Sequence, residues 1–346
     1  MSEERMVFDG ESLITPQMIA AENRHIKSHS HRDQFETARA HLALVLNFAK
    51  QRFEAGVAPA RIIDGLIVEM HRTRAELDQA VWQELVPIAQ NHPVADFIHQ
   101  DPFTQWSFEK PRGYSGDAAL LDFIYGHESI EDDLASATSL GKVIYDYTRA
   151  SPAASAVRER RDLLARYVDD VAGTRGTDTE VLTIASGHLR EAGFSTALKE
   201  KRIKRWVALD QDPLSIGVVA RDFAGSPVEA LHGSVRSVLK DSPSLGEFDF
   251  IYAAGLYDYL PHAVSVKLTR KCMQSLKPNG VFLFANFFDD IIDDGYMETF
   301  MNWQLILRSE KDMWKIINAS VDRNTVDASV EFGENRNIVY GIIRKR

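Results

Sequence analysis

The sequence predicts a two-part α/β chain: an all-helical N-terminal domain, then a largely parallel sheet closed by an antiparallel hairpin. Three observations carry this reading. Up to about residue 91, apolar residues recur at three- and four-residue steps, as on one face of a helix. From residue 180 onward, short apolar runs alternate with helical stretches, the pattern of βαβ units. The last two apolar runs flank only the turn-rich GENR, so they must pair directly.

The chain has 346 residues, enough for about two domains with sizeable cores. Its single cysteine, Cys272, excludes an internal disulfide framework and any CxxC zinc cluster. Fifty acids against forty bases leave a formal charge of −10, which argues against a nucleic-acid partner. MSEERMVFDGES lacks an apolar core of signal type, and no run approaches a membrane span. The expectation is a cytoplasmic protein with a small-molecule partner, compatible with a homodimer.

Residues 1 to about 30 are polar. Their histidines, His25, His29 and His31, have no carboxylate or cysteine at ligand spacing, and the segment reads as solvated. Phe35, Ala38, Leu42, Val45 and Ala49 then mark one helix face, and Ile62, Leu66, Met70 and Leu77 a second. Pro59 suits the first turn of that second helix. Residues 101–126, DPFTQWSFEKPRGYSGDAALLDFIYG, are rich in aromatics, Gly and Pro and cannot be one helix. The helical domain is placed at 1–150, the boundary between about 150 and 178, and the second domain at 176–346.

In that second domain VLTIA (181–185), WVALD (206–210), VEALHG (228–233), FDFIYAA (248–254) and GVFLFANF (280–287) are the strands in order. VDASVEF (326–332) and NIVYGIIRK (337–345) form the hairpin. Four loops at strand ends carry chemistry. In IASGHLREAG, Ala185, Ser186 and Gly187 make a tight turn where backbone meets ligand, and a following helix would aim its amides there. It is not the GxGxxG fingerprint, so a smaller, less anionic group than a pyrophosphate fits. Asp210, followed by Gln211, is an acid at the end of the second strand, placed to accept hydrogen bonds from both ribose hydroxyls of a nucleoside. Ser234 and Val235 follow the third strand and edge an adenine. After the fourth strand, Ala254 and Gly255 lead into Tyr257, Asp258 and Tyr259 at the edge where open α/β sheets bind ligands.

The order of these motifs resembles a class I S-adenosylmethionine-dependent methyltransferase, with LKPNGVFLFANF similar to that superfamily's helix, Pro-x-Gly turn and fifth strand. The resemblance implies a Rossmann-like seven-stranded sheet and S-adenosyl-L-methionine as cofactor. It covers residues 178 to the end. More narrowly, KPRGYSGD, IASGHLREA, ALDQDP, AGLYDYL and YMETFMNWQLILR resemble a bacterial subgroup often labelled as making the methyl ester of a 3-hydroxy fatty acid. IASGH has fewer glycines than the superfamily's loop usually carries.

The resemblance further implies that 101–126 covers the cofactor pocket, with Tyr114 against the cofactor and Arg112 on a carboxylate. Tyr257, Asn286, Tyr296 and Trp303 are then the other substrate contacts, and Asp258, Tyr259 and His262 the catalytic candidates. The expected reaction is O-methylation of a carboxylate, which is ionised at pH 7 and needs no base. An amine, phenol or carbon acceptor would need one, from Asp258, His188 or His262. A non-catalytic nucleoside sensor is the alternative outside enzymology. Asp289, Asp290, Asp293 and Asp294 read as solvated acids at a helix start rather than a metal site.

Overall fold

The computed structural model describes residues 31–241 and 244–346; His25 and His29 lie outside them. The described chain divides into a helical unit, 31–155 with 291–304, and a sheet unit, 156–290 with 305–346.

In the helical unit, α1 (His31–Glu54) buries Ala38, Leu42, Leu46, Ala49 and Phe53. Of the predicted face Ala38, Leu42 and Ala49 are buried, Phe35 and Val45 are only half-buried, and Leu46 points inward instead. α2 (Pro59–Glu76) buries Ile62, Ile63, Leu66, Ile67 and Met70, and Pro59 opens it. α3 (Gln79–Gln90) buries Trp82 and Leu85. Residues 101–126 form two short helices, α4 (Pro102–Glu109) and α5 (Ala118–Tyr125), each capped by the aspartate before it. Between them KPRGYSGD is a turn whose backbone needs positive φ at Lys110, Gly113 and Gly116. α6 (Ser139–Arg149) completes this part of the unit.

The segment 291–304 corrects the domain expectation, because it follows the fifth strand yet packs inside the helical unit. Its short helix Asp294–Thr299 is wholly buried. A Cβ on Gly295 would lie 2.5 Å from the Met70 carbonyl carbon, so only glycine lets this helix approach α2 so closely. Asp293 and Asp294 are buried, not solvated as expected. Asp294 pairs with Arg74 at 2.8 Å and with His71 at 2.9 Å, while Glu298 takes Arg74 and the Trp82 indole. Pairing of this kind offsets the cost of burying Asp294 and Glu298.

In the sheet unit the long helix α7 (Pro152–Arg175) precedes β1 (Thr179–Ile184). Then come β2 (Ile203–Asp210), α8 (Pro213–Asp222), β3 (Val228–His232), α9 (Val235–Lys240), β4 (Phe248–Ala253), α10 (His262–Gln274) and β5 (Leu276–Phe287). α11 (Glu310–Ser320), β6 (Val326–Phe332) and β7 (Ile338–Lys345) close the chain. The order is β3-β2-β1-β4-β5-β7-β6, parallel but for β7, which runs antiparallel to both β5 and β6. This is the seven-stranded α/β sheet with a terminal hairpin that the strand pattern implied. β5 starts four residues earlier than the apolar run suggested, so the Pro-x-Gly turn lies inside the strand as a register shift opposite Phe248 and Phe250.

Both faces of the sheet are covered. Leu182, Ile184, Leu209, Ile251, Phe282 and Phe284 face one way, into the core shared with α10 and α11. Thr183, Trp206, Phe250 and Tyr252 face the other. There Tyr167 of α7 stacks on Phe250 at 5.8 Å, and the Trp206 indole donates to Thr183 Oγ1 at 2.9 Å. Strands buried on both faces read as continuous apolar runs, which is why they were legible.

Candidate active site at the carboxyl edge of the sheet

β1 pairs with β2 on one side and β4 on the other, and the direction of strand addition reverses between β1 and β4. The crevice beyond the carboxyl ends of these strands is where open α/β sheets bind ligands. Ala185, Ser186, Gly187, Asp210, Gln211, Ala254 and Gly255 all lie at these strand ends.

The turn after β1 is strained by design. Ala185, Gly187 and Leu189 have φ of 58°, 53° and 52°. Glycine alone adopts this backbone freely. The chain thus keeps a left-handed loop where the resemblance led one to look for more glycine, with alanine and leucine holding the strain. Leu189 offsets it by burial. At Ala185 a β-branched side chain would not fit this φ. Ala185→Val is expected to lower stability by roughly 1–3 kcal/mol, whereas Ala185→Gly leaves it near wild type. Urea unfolding of both variants checks this.

Asp210 organises the loop. Its Oδ2 accepts the Gly187 amide at 2.8 Å and its Oδ1 the Asp212 amide at 2.8 Å. Burial pushes its carboxyl above the ordinary value, while those two amides favour the charged form. A carboxylate has about four acceptor positions, so two remain for a ligand's hydroxyls. His188 is buried beside it, and its Nδ1 lies 3.2 Å from Arg190, which pairs with Asp222. Asp212 caps α8 and binds Ser215.

The helix expected after this loop is absent. A 3₁₀ turn, Arg190–Phe194, and one helical turn, Thr196–Lys199, take its place. Asp169 of α7 holds that turn by accepting from Ser195 Oγ and from the amides of Thr196 and Ala197. The ligand edge is therefore built from loop backbone and Asp210 rather than from a helix dipole.

Other predicted residues have structural employment. Ser234 is the N-cap of α9, in a reciprocal pair with Ser237, and Val235 points into the core. Tyr257 does not line the crevice as expected. It is fully buried on the α10 face, its ring tilted against Phe284 with centroids 4.5 Å apart and its hydroxyl 2.8 Å from Thr269 Oγ1. Asn286 is also buried. Its amide donates to the carbonyls of Phe287 and Ile306, and its Oδ1 accepts from Arg308, so its side chain ties the end of β5 to the segment 306–308. Tyr259 and His262 are half-buried at the loop's end and the start of α10.

Arg112, Tyr114, Tyr296 and Trp303 belong to the helical unit. Arg112 lies 3.7 Å from Asp117. Tyr296 is buried, with its hydroxyl 3.2 Å from Thr104 Oγ1, and Trp303 is buried with it, so both serve the interior of that unit. Among the described residues no group of three or more His, Cys, Asp or Glu could hold a metal ion. No described helix is long and apolar enough to cross a membrane.

Asp258 sits in the 3₁₀ turn Tyr257–Tyr259, and its Oδ1 accepts the Phe287 amide at 2.7 Å. Burial pushes its carboxyl up to about 7, against the charges of Arg160 and Arg308 and the Phe287 amide. An acid held above its unfolded value keeps its proton better in the folded state. Its contribution is most favourable below about pH 4 and is lost as the pH rises through 7. Asp101 and Asp293, each pushed up to about 6 by burial, add to the same trend. Asp258→Asn keeps an oxygen for the Phe287 amide. It is expected to be more stable than wild type at pH 8 by roughly 1–3 kcal/mol, with the difference shrinking towards pH 4. Melting curves across pH 4–8 check the sign.

Sequence reasoning missed two arginines of this unit, Arg308 and Arg160. Arg308 donates to the Tyr257 and Leu260 carbonyls and to Asn286 Oδ1, and so fixes the loop after β4 against the end of β5. Arg160 is buried on α7.

No protein-family model and no curated protein matches the chain. Among solved structures it is similar to a protein from Bordetella parapertussis described as a possible exported protein. That match has 18% identity, covers 89% of this chain and 96% of that one, and has a TM-score of 0.53. The two share the fold. Partial similarity extends to the N-methyltransferase NodS from Bradyrhizobium japonicum, solved with S-adenosyl-L-homocysteine: 17% identity, 63% and 97% coverage, TM-score 0.40. It extends also to a SAM-dependent methyltransferase from Leishmania major, at 20% identity, 56% and 82% coverage and a TM-score of 0.37.

Proposed function

We propose that this chain is an S-adenosylmethionine-dependent methyltransferase that methylates a carboxylate oxygen of a small apolar acid, of the hydroxy fatty acid type. The observation that carries the cofactor is Asp210. It is a buried acid at the end of β2, tied to the strained turn after β1, with acceptor capacity left for a ribose. When bound, the cofactor supplies an electrophilic methyl on a sulfonium. The protein's task is then to align the acceptor oxygen with that carbon and exclude water. The acid is already ionised, so no proton has to move.

The state of Asp258 supports a base-free acceptor. Its carboxyl is buried, out of solvent, and its Oδ1 is committed to the Phe287 amide. A phenol, amine or carbon acceptor would fall to His262, and loss of turnover in His262→Ala would favour it. Titration calorimetry with S-adenosylmethionine and S-adenosylhomocysteine tests the cofactor, and mass spectrometry of acids incubated with the enzyme tests the acceptor. A wild-type chain that binds neither nucleoside would sink the enzyme and sensor readings alike.

A further inference from the structure

Arg160 poses an unsolved electrostatic problem within the sheet unit. It lies in α7, in the run Arg158-Glu159-Arg160-Arg161. Glu159 points one way and accepts the Glu334 amide at the turn between β6 and β7. Arg160 turns inward and is only 5% exposed, and its Nη1 is buried with no hydrogen-bond partner. A buried guanidinium nitrogen without an acceptor is costly, and native structures rarely tolerate it without a reason.

Its surroundings say what is missing. A Cβ on Gly255, just past β4, would lie 3.7 Å from Arg160 Nη2 and 4.0 Å from Nη1, so the guanidinium faces the carboxyl edge. Asp258 and Glu191 both feel its charge, but neither gives Nη1 a hydrogen bond: Asp258 accepts the Phe287 amide, and Glu191 the Tyr252 hydroxyl at 2.5 Å. A second buried polar atom without a partner, the Tyr340 hydroxyl, sits on β7 opposite Ala285, and the charge of Arg160 reaches it. Two buried donors thus lack a hydrogen-bond partner in the sheet unit: Arg160 Nη1 beside the loop that ends β4, and the Tyr340 hydroxyl on the strand next to the carboxyl end of β5.

We infer that Arg160 and Tyr340 form a receiving pocket for a ligand carboxylate. A guanidinium binds a carboxylate through parallel N–H donors, and a phenol adds a third. Two carboxylates are compatible with this chemistry: the acid of the acceptor and the amino-acid end of the cofactor. The pocket rests on the methyl-transfer reading for the owner of the carboxylate, not for its own existence.

The test uses Arg160→Met and Tyr340→Phe in the full chain, with circular dichroism and melting as the check on folding. Four probes are titrated by calorimetry: S-adenosylhomocysteine; 5′-methylthioadenosine, which has no carboxylate; 3-hydroxydodecanoate; and 1,3-dodecanediol. Removing a buried guanidinium that lacks a hydrogen bond at Nη1 should leave the unliganded protein melting no lower than wild type, while a purely structural arginine would lower it. Affinity for one carboxylate probe should fall about 10- to 100-fold in Arg160→Met, with its carboxylate-free counterpart unchanged. A fall for S-adenosylhomocysteine assigns the pocket to the cofactor. A fall for 3-hydroxydodecanoate assigns it to the acceptor. Tyr340→Phe should show a smaller loss on the same probe. Unchanged affinity for both carboxylates, or equal weakening of all four probes, would overturn the pocket. Wild type that binds neither nucleoside defeats the methyl-transfer reading alone, because the comparison of acid with diol still decides the pocket. Wild type that binds neither carboxylate defeats the pocket.

Discussion

Replacing Asp210 by alanine is expected to abolish measurable binding of S-adenosylhomocysteine, a loss of at least about 100-fold. Each charge-assisted hydrogen bond to a ribose hydroxyl is worth about 1.5–3 kcal/mol, and two are lost together. The effect is compounded through the loop. The Gly187 and Asp212 amides both donate to this carboxylate, so its removal orphans both and frees a turn that is left-handed at Ala185 and Gly187. A modest fall in stability, roughly 1–3 kcal/mol, should accompany the loss. Asp210→Asn separates the two effects, since the amide oxygen still serves one backbone donor while the charge is gone. Calorimetry beside urea unfolding reads both. Retained wild-type affinity in Asp210→Ala would remove the ribose anchor and with it the main support for a nucleoside site.

Asp210 was legible because two local facts meet in it: an acid, and the end of a strand buried on both faces. The strands themselves were legible for the same reason. What the sequence could not show was the direction in which a short turn points its side chains. Tyr257, Asp258 and Tyr259 are consecutive, and in a 3₁₀ turn each points a different way. Tyr257 goes to the core and Asp258 to the Phe287 amide. Arg160 was hidden differently. In a charged run on a helix only register against the sheet decides which arginine turns inward, and Arg158-Glu159-Arg160-Arg161 carries no apolar pattern to set it. The segment 291–304 was hidden by distance in the chain. The partners of Asp294, Gly295, Tyr296 and Glu298, namely Arg74, Met70, Thr104 and Trp82, lie some two hundred positions earlier.

Arg308 should prove the most sensitive single position for folding of the sheet unit. It is 4% exposed and donates to two backbone carbonyls, Tyr257 and Leu260, and to the Asn286 amide oxygen, with Ser265 Oγ at 3.4 Å. Those groups come from the turn after β4, the first turns of α10 and the end of β5, so one planar cation joins three elements. Arg308→Met fills much of the volume but leaves the buried Asn286 amide oxygen without a donor and strips the Tyr257 and Leu260 carbonyls of their charged one, leaving them the weaker bonds from the Leu260 amide and Ser265 Oγ. The expected loss is about 3–5 kcal/mol, enough to unfold a marginal protein at 37 °C. Arg308→Lys should recover little, because a single ammonium cannot span acceptors that a guanidinium reaches with separate nitrogens. Asn286→Ala removes one acceptor along with its own donors and should cost less, about 1–3 kcal/mol. Because both residues act through the same contact, the double variant should lose less than the sum of the singles. Urea unfolding of the four chains decides this. Additive losses would mean that Arg308 and Asn286 stabilise the loop separately, and the end of β5 would then not depend on this one cation.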